Sequence, residues 1–173
     1  TLNNTSTIVY NKSSQKTKIA LGKSYVINQP INQAHLCTGG ESIPYISVQE
    51  LTMPKTEAIL LDAREKNEYN VSHIKGATLV GYNNFKIETV INSIEDKNTK
   101  IVVYCSLGIR SEDIAEKLKD EGYTNVFNLY GGIFEWKNNN FKVYDLDNNE
   151  TENIHDFSEE WSKWLTKGAK VYE

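Results

Sequence analysis

The residues best placed to do chemistry lie in one short stretch. Cys105 directly follows the β-branched run Ile101-Val102-Val103-Tyr104 and precedes Ser106, Leu107, Gly108, Ile109, Arg110 and Ser111. A cysteine between a buried parallel strand and a helix start sits where backbone N–H groups converge and the helix dipole favours an anion. The thiolate is the nucleophilic form, so this position makes the side chain reactive without a histidine base. Gly108 permits the turn that gathers successive N–H groups into an anion-holding nest. Arg110 adds a permanent positive charge with planar, two-pronged donors suited to oxyanions. Each feature alone has a plainer reading: cysteine is often a small buried hydrophobe, and an arginine near a helix start is often a surface side chain. Their coincidence at the C-terminal edge of a parallel sheet, where open α/β folds place their sites, favours chemistry.

The flanking sequence supplies the elements such a loop needs. Ala58-Ile59-Leu60-Leu61 is a continuous apolar run ending at Asp62, the pattern of a strand buried on both faces, and its C-terminal end carries Asp62 and Arg64. Ser47 and Glu50 match a capping box, so a short helix starts there. Phe85, Ile87, Val90, Ile91 and Ile94 recur near the helical period, predicting a helix within 84–94. After the cysteine loop, Ile114, Ala115 and Leu118 share one helical face that Gly122 closes. Val126 to Leu129 reads as another strand, Gly131-Gly132 as a tight turn, and Ile133 to Trp136 as the start of a last small helix. Strands alternating with helices predict an α/β fold: an open, mainly parallel sheet flanked by helices on both faces, with N- and C-terminal extensions.

The extensions read differently. Residues 1–45 are rich in Asn, Ser, Thr, Gln and Lys, with short β-like runs at Ile8-Val9-Tyr10, Lys18 to Leu21 and Tyr25-Val26-Ile27, and are expected to be partly ordered. The core domain is expected over 46–143. Residues 144–173 are expected to form a linker and a docking helix: an Asn-rich, acidic stretch to Asp156, then Phe157, Trp161, Trp164 and Leu165 on one helical face. Trp161 and Trp164 are most simply packing residues.

Composition narrows the function classes. At 173 residues, the chain fits one domain with extensions, given about 100–200 residues per domain. A formal net charge of −4 gives no basic footprint, so nucleic acid is not an expected partner. The longest apolar runs end after a few residues, where a membrane span needs about 20. Two cysteines, Cys37 and Cys105, are too few for a disulfide scaffold or a four-ligand zinc site, though one bridge between them stays open. Neither a metal nor a cofactor is expected.

Leu61-Asp62-Ala63-Arg64 with Glu68-Tyr69, then Ser72 to Ala77, Val103 to Ser111, Leu129 to Gly132 and Trp136 stand in an order and spacing that resembles the rhodanese domain, of the single-domain type, over roughly 46–143. The resemblance implies a sulfurtransferase in which Cys105 carries sulfane sulfur as a persulfide. Ser106, Leu107, Gly108, Ile109, Arg110 and Ser111 would form the substrate-binding loop and Asp62 and Arg64 its braces. The expected partners are a small sulfur donor and a thiol or cyanide acceptor, with a protein sulfur acceptor as a further candidate. The resemblance departs where family members carry Gly-His-Ile-Pro-Gly-Ala and this chain has Ser72 and Lys75. It departs again in the loop, where Arg110 is the only charged residue, so thiosulfate is not a secure natural donor. Four residues separate Cys105 from Arg110, one fewer than in the related phosphatases and arsenate reductases, which weakens that alternative.

Two other readings stay open: a sulfur-carrier or partner-binding module with little small-molecule turnover, and a redox switch pairing Cys37 with Cys105. His73, in a turn before Ala77 to Val80, is expected to be structural. The Asn/Ser/Thr/Lys-rich start without Met is similar to the tether of an exported or lipid-anchored bacterial protein, and a cytoplasmic enzyme is the alternative.

Overall fold

The computed structural model describes residues 43–172, together with the backbone of four strands lying between positions 7 and 37. It divides into two units, Thr1–Ser42 and Ile43–Glu173. In the first, β1 (Thr7–Tyr10), β2 (Lys16–Ala20), β3 (Lys23–Asn28) and β4 (Gln33–Cys37) form an antiparallel sheet in the order β1-β2-β3-β4. Three of these strands overlap the β-like runs of the sequence. The fourth, Gln33-Ala34-His35-Leu36-Cys37, lacks a β-branched residue and is defined by its pairing with β3. Leu21 and the Cys37 thiol lie outside the described residues.

The second unit opens with β5 (Tyr45–Ile46) and α1 (Val48–Leu51), then β6 (Ile59–Asp62) and α2 (Lys66–Val71). β7 (Thr78–Leu79), α3 (Ile87–Ser93), β8 (Ile101–Tyr104), α4 (Ile109–Asp120), β9 (Val126–Leu129) and α5 (Gly132–Asn138) follow. The five strands form one sheet in the order β5-β9-β8-β6-β7, every neighbouring pair parallel. The fold is thus the predicted open parallel sheet flanked by helices. β8 lies at its centre with all four residues buried. Successive residues serve opposite faces. Val102 and Tyr104 join Val48, Leu51, Ile133 and Phe134 from α1 and α5, while Ile101 and Val103 join Val90, Ile114, Ala115 and Leu118 from α3 and α4. Among the described residues, no helix is long and apolar enough to cross a membrane.

Local signals explain the helix ends. The Ser47 side chain accepts from the Glu50 N–H at 3.1 Å, so α1 begins where the capping pattern put it. Gly122, at φ 95°, ends α4, and the following Tyr123 N–H returns to the Leu118 carbonyl at 3.1 Å. α3 is shorter than its apolar periodicity implied, because Ile94 has left helical geometry at φ −129° and is buried as the first residue after it.

The C-terminal stretch differs from a linker followed by a docking helix. β10 (Val143–Tyr144) and β11 (Glu150–Thr151) pair as an antiparallel hairpin, with the Asp145 carboxylate accepting from the N–H groups of Asp147 and Asn149, both at 2.9 Å. β12 (Asn153–His155) pairs in parallel with β13 (Ala169–Val171). Between them α6 is only Glu159–Ser162, capped by Ser158. Phe157, at φ 64°, cannot continue that helix, so the tail docks through Trp161 and Leu165, with Trp164 half-buried against the same cluster, rather than through all four residues on one helical face. Asn138 at the end of α5 clasps the tail. Its Oδ1 accepts from the Thr166 N–H at 2.8 Å and hydroxyl at 2.9 Å and from the Lys167 N–H at 3.2 Å, and its Nδ2 donates to the Trp164 carbonyl at 2.9 Å.

Removing that clasp in Asn138→Ala should cost about 1–3 kcal/mol, the range for losing a small group of half-exposed hydrogen bonds. Chemical denaturation measures the loss, and hydrogen exchange should accelerate first at Thr166 and Lys167. Unchanged exchange there would show that the tail is held without the Asn138 clasp.

Candidate active site

Three strand ends meet at the C-terminal edge of the sheet: Asp62 closes β6, Tyr104 closes β8 and Leu129 closes β9. From the middle one the chain turns through Cys105-Ser106-Leu107 to Gly108, which takes φ 99° and caps α4. A residue with a β-carbon rarely adopts that backbone, so the glycine read from sequence as permitting the turn does so. The Gly108 N–H donates to Cys105 Sγ at 3.1 Å. The first N–H groups of α4, on Ile109, Arg110 and Ser111, have no acceptor within the helix. Cys105 and Ser106 are fully buried, whereas Leu107 and Ile109 are half-buried and pack on the Val102/Tyr104 cluster.

A glycine on the neighbouring helix fixes the loop from behind. The Cys105 carbonyl accepts from the Ile133 N–H at 2.9 Å and the Ser106 carbonyl from the Phe134 N–H at 3.2 Å. Gly132 makes this approach possible: a β-carbon there would stand 2.2 Å from the Cys105 oxygen, at a backbone φ of 58°. Gly131-Gly132, read from sequence only as a tight turn, is therefore also the seat of the cysteine loop.

A second support comes from β9. Asn128 Nδ2 donates to the Gly108 carbonyl at 2.8 Å and to Glu112 Oε2 at 2.7 Å, which leaves its Oδ1 to accept from the Ser111 hydroxyl at 2.8 Å. The single Ser111 hydrogen is then committed to Asn128, and the 3.5 Å separation of Ser111 Oγ from Cys105 Sγ is a contact. Burial pushes the Glu112 carboxyl above its ordinary range, the Asn128 hydrogen bond opposing and the Glu116 charge assisting.

Arg110 does not stand free. Its Nη1 and Nη2 donate to Glu68 Oε2 at 2.6 Å and Oε1 at 2.7 Å, and Nη2 also reaches Ser106 Oγ at 3.0 Å. The Ser106 hydroxyl in turn donates to Glu68 Oε1 at 3.1 Å, and the Glu65 N–H donates to Oε2 at 3.0 Å. Both partners are buried, Glu68 at 2% and Arg110 at 7% exposure. Burial pushes the Glu68 carboxyl up, but the Arg110 hydrogen bonds and charge outweigh it and hold it below the usual carboxylate range. On its open side the Arg110 guanidinium lies 4.4 Å from the centroid of the Phe157 ring.

Asp62 and Arg64 form a buried ion pair. Arg64 Nη2 donates to Asp62 Oδ2 and to the Ser72 carbonyl, both at 2.7 Å, and the Arg64 N–H donates to Asp62 Oδ1 at 2.9 Å. This fully buried pair ties β6 to the end of α2 and makes no hydrogen bond to Cys105. Burial would weaken the Arg64 charge, but Asp62 beside it holds the guanidinium pKa above its ordinary value. His73 stacks on Tyr69 with ring centroids 4.0 Å apart, and its backbone N–H donates to Tyr144 at 2.9 Å, a structural placement. The Ser72 hydroxyl donates to the Asn153 carbonyl of the tail at 2.6 Å.

Sequence reasoning assigned no role to Glu68, Glu112 or Asn128, read Gly132 only as part of a tight turn and placed Phe157 only on a docking helix face. Asn128 carried a signal, being the one polar residue in the strand Val126-Phe127-Asn128-Leu129. Glu68 lay inside a recognised block but was given no partner, and nothing near Phe157 in sequence tied it to Arg110.

The family model for the rhodanese-like domain matches residues 47–139. Curated relatives include a tRNA uridine(34) hydroxylase of Erwinia tasmaniensis, 36% identical over 83 residues, covering 46% of this chain and 24% of that protein. One of Hamiltonella defensa is 32% identical over 112 residues, covering 63% of this chain and 30% of that protein. The chain thus spans less than a third of these relatives. Among solved structures, thiosulfate sulfurtransferase from Pseudomonas aeruginosa superposes with a TM-score of 0.55 at 23% identity, over 71% of this chain and 23% of that one. A rhodanese-like domain from Anabaena sp. gives 0.53 at 20% identity, over 75% and 89%. At these identities the structures speak for the fold alone.

Glu68→Gln should destabilise the protein by about 3–5 kcal/mol at neutral pH, because it leaves the Arg110 charge buried without its counter-ion. A carboxyl held below its ordinary range in the folded state contributes stability above the ordinary carboxylate titration and loses it as pH falls through the folded value. The gap between the two proteins, measured by chemical denaturation, should therefore narrow towards acid as the wild-type Glu68 protonates.

Proposed function

The chain belongs to the rhodanese-like domain family, and from that premise we propose that it is a sulfurtransferase in which Cys105 carries sulfane sulfur between a donor and a thiophilic acceptor. The observation that carries this reading is the placement of Cys105 Sγ in a six-residue turn, with the Gly108 N–H on the sulfur at 3.1 Å and the start of α4 beneath it. Fixed N–H donors of this kind stabilise negative charge without reorganising during the reaction.

The chemistry is a double displacement. The Cys105 thiolate attacks the outer sulfur of the donor, a new S–S bond forms, and the donor's own bond to that sulfur breaks with its electron pair leaving on the remainder. A nucleophilic acceptor, such as cyanide or a thiol, then attacks the outer sulfur of the persulfide and returns Cys105 as thiolate. Ser106, Leu107, Gly108, Ile109, Arg110 and Ser111 form the substrate loop. Asp62 and Arg64 hold its surroundings, and Glu68 and Gly132 fix its shape. The half-buried, uncharged Leu107 and Ile109 also suit a protein or thiol-bearing partner, which supports a carrier reading with little turnover of small donors.

A second reading has a specific source. The relatives at 36% and 32% identity are named tRNA uridine(34) hydroxylases, so this domain would serve in tRNA modification. The formal charge of −4 weighs against tight tRNA contact by this chain alone, since phosphate binding needs a basic surface. Titration with tRNA at two salt concentrations separates the two: binding that weakens steeply with salt favours the second reading.

Sulfur transfer to cyanide, followed as thiocyanate, is expected for the wild-type protein and should fall to the uncatalysed background in Cys105→Ala. Equal rates in the two proteins would falsify the sulfurtransferase reading. A persulfide formed on Cys105 without turnover would favour the carrier.

A further inference from the structure

We propose that Phe157 is a positioning residue of the Cys105 site, and that by holding Arg110 on Glu68 it selects uncharged sulfur donors over oxyanionic ones. The proposal rests on the sulfurtransferase reading for its substrate class and on geometry for the residue.

Phe157 lies well past 139, where the family match ends, on the tail segment between β12 and α6. That segment is fastened onto the domain. Ser72 Oγ donates to the Asn153 carbonyl at 2.6 Å, the Asn67 amide meets His155 Nε2 at 3.3 Å, and Lys137 Nζ pairs with Glu152 at 2.8 Å. Two of these anchors, Asn67 and Ser72, lie on or directly after α2, the helix that carries Glu68. The tail is thus held against the helix that neutralises Arg110.

Its conformation at Phe157 is costly. A φ of 64° is an outlier for a bulky residue and persists only when its surroundings over-determine it. Here the Phe157 N–H donates to His155 Nδ1 at 3.0 Å, and the ring is tilted against Trp161 with centroids 4.6 Å apart. The outcome of that strain is a ring placed 4.4 Å from the Arg110 guanidinium carbon, although Phe157 itself remains 41% exposed. Strained backbone, an exposed aromatic and a cation–π contact to the active loop converge on one residue.

The consequence is electrostatic. Arg110 is the only charged side chain from Cys105 to Ser111. Its Nη1 and Nη2 are taken by Glu68, its buried Nε has no hydrogen-bond partner among the described residues, and the Phe157 ring lies over the guanidinium at 4.4 Å, where a π face stabilises the charge in place of water or an anion. The loop then offers a donor its backbone N–H groups and the apolar side chains of Leu107 and Ile109, but no free cation. Such a site suits the outer sulfur of a thiol-derived persulfide or polysulfane better than thiosulfate.

The test uses alkylation of Cys105, which needs no sulfur transfer. Iodoacetate and iodoacetamide differ in charge but little in size, and their rates at Cys105 are read by mass spectrometry of its peptide in the full chain. Phe157→Gly removes the ring at a backbone angle that glycine accepts, and Phe157→Leu keeps apolar bulk without a π face. Both should raise the iodoacetate-to-iodoacetamide rate ratio about fivefold, the change expected from losing one partly desolvated cation–π contact. Phe157→Trp should keep the wild-type ratio. Equal ratios in wild type, Phe157→Gly and Phe157→Leu, including failure of either reagent to react in any of them, overturn the proposal. Absence of a Cys105 persulfide with every donor would instead overturn the sulfurtransferase reading while the alkylation ratio still decides the role of Phe157.

Discussion

The site depends on how the backbone of two residues is divided. The carbonyls of Cys105 and Ser106 point back into α5, where Ile133 and Phe134 supply their N–H partners at 2.9 and 3.2 Å. With the carbonyls tied down on one side, the turn at Gly108 presents N–H groups on the other, and one of them already meets Cys105 Sγ. This division exists because Gly132 lets α5 come closer than any side chain would allow. The parallel sheet makes the meeting possible by bringing the ends of β8 and β9 side by side, so that the helices that follow them start next to each other.

Charge is arranged in layers around that backbone. Asp62 and Arg64 form a fully buried pair below the loop, and Glu68 and Arg110 form a second one beside it. Such pairs gain little net stability when whole and cost much when broken, so their value lies in fixing geometry. The first ties β6 to the end of α2 and the second ties α2 to the first turn of α4. The loop is therefore held by the Glu68–Arg110 salt bridge on one side and by backbone hydrogen bonds on the other, while its own positive charge is neutralised.

Much of this was legible in the sequence, where local pattern decides. Ile101 to Tyr104 reads as a strand from its β-branched run and is buried throughout, whereas Ala58 to Leu61, read as a strand buried on both faces, forms β6 with Ile59 exposed and Leu60 half-buried. Gly108 reads as a turn because only the backbone beside a helix start needs it there. Capping by Ser47 and closure by Gly122 follow from chemistry within a few residues. What escaped depends on distant partners. Glu68 meets Arg110 across 42 positions, and the seat at Gly132 involves a carbonyl 27 residues earlier. The tail escaped for a different reason: strands of two or three residues carry no periodicity, and the Asn and Asp side chains that suggested a linker are there as turn acceptors and a clasp. Phe157 was placed on a helix that its backbone angle forbids.

The most direct test of the account is the mass of the Cys105 peptide before and after exposure to a sulfane sulfur donor, and again after cyanide. Sulfur transfer through Cys105 requires a gain of one sulfur atom at Cys105, with its loss to cyanide accompanied by an equal amount of thiocyanate. No gain at Cys105, or sulfur found on Cys37 instead, would contradict it.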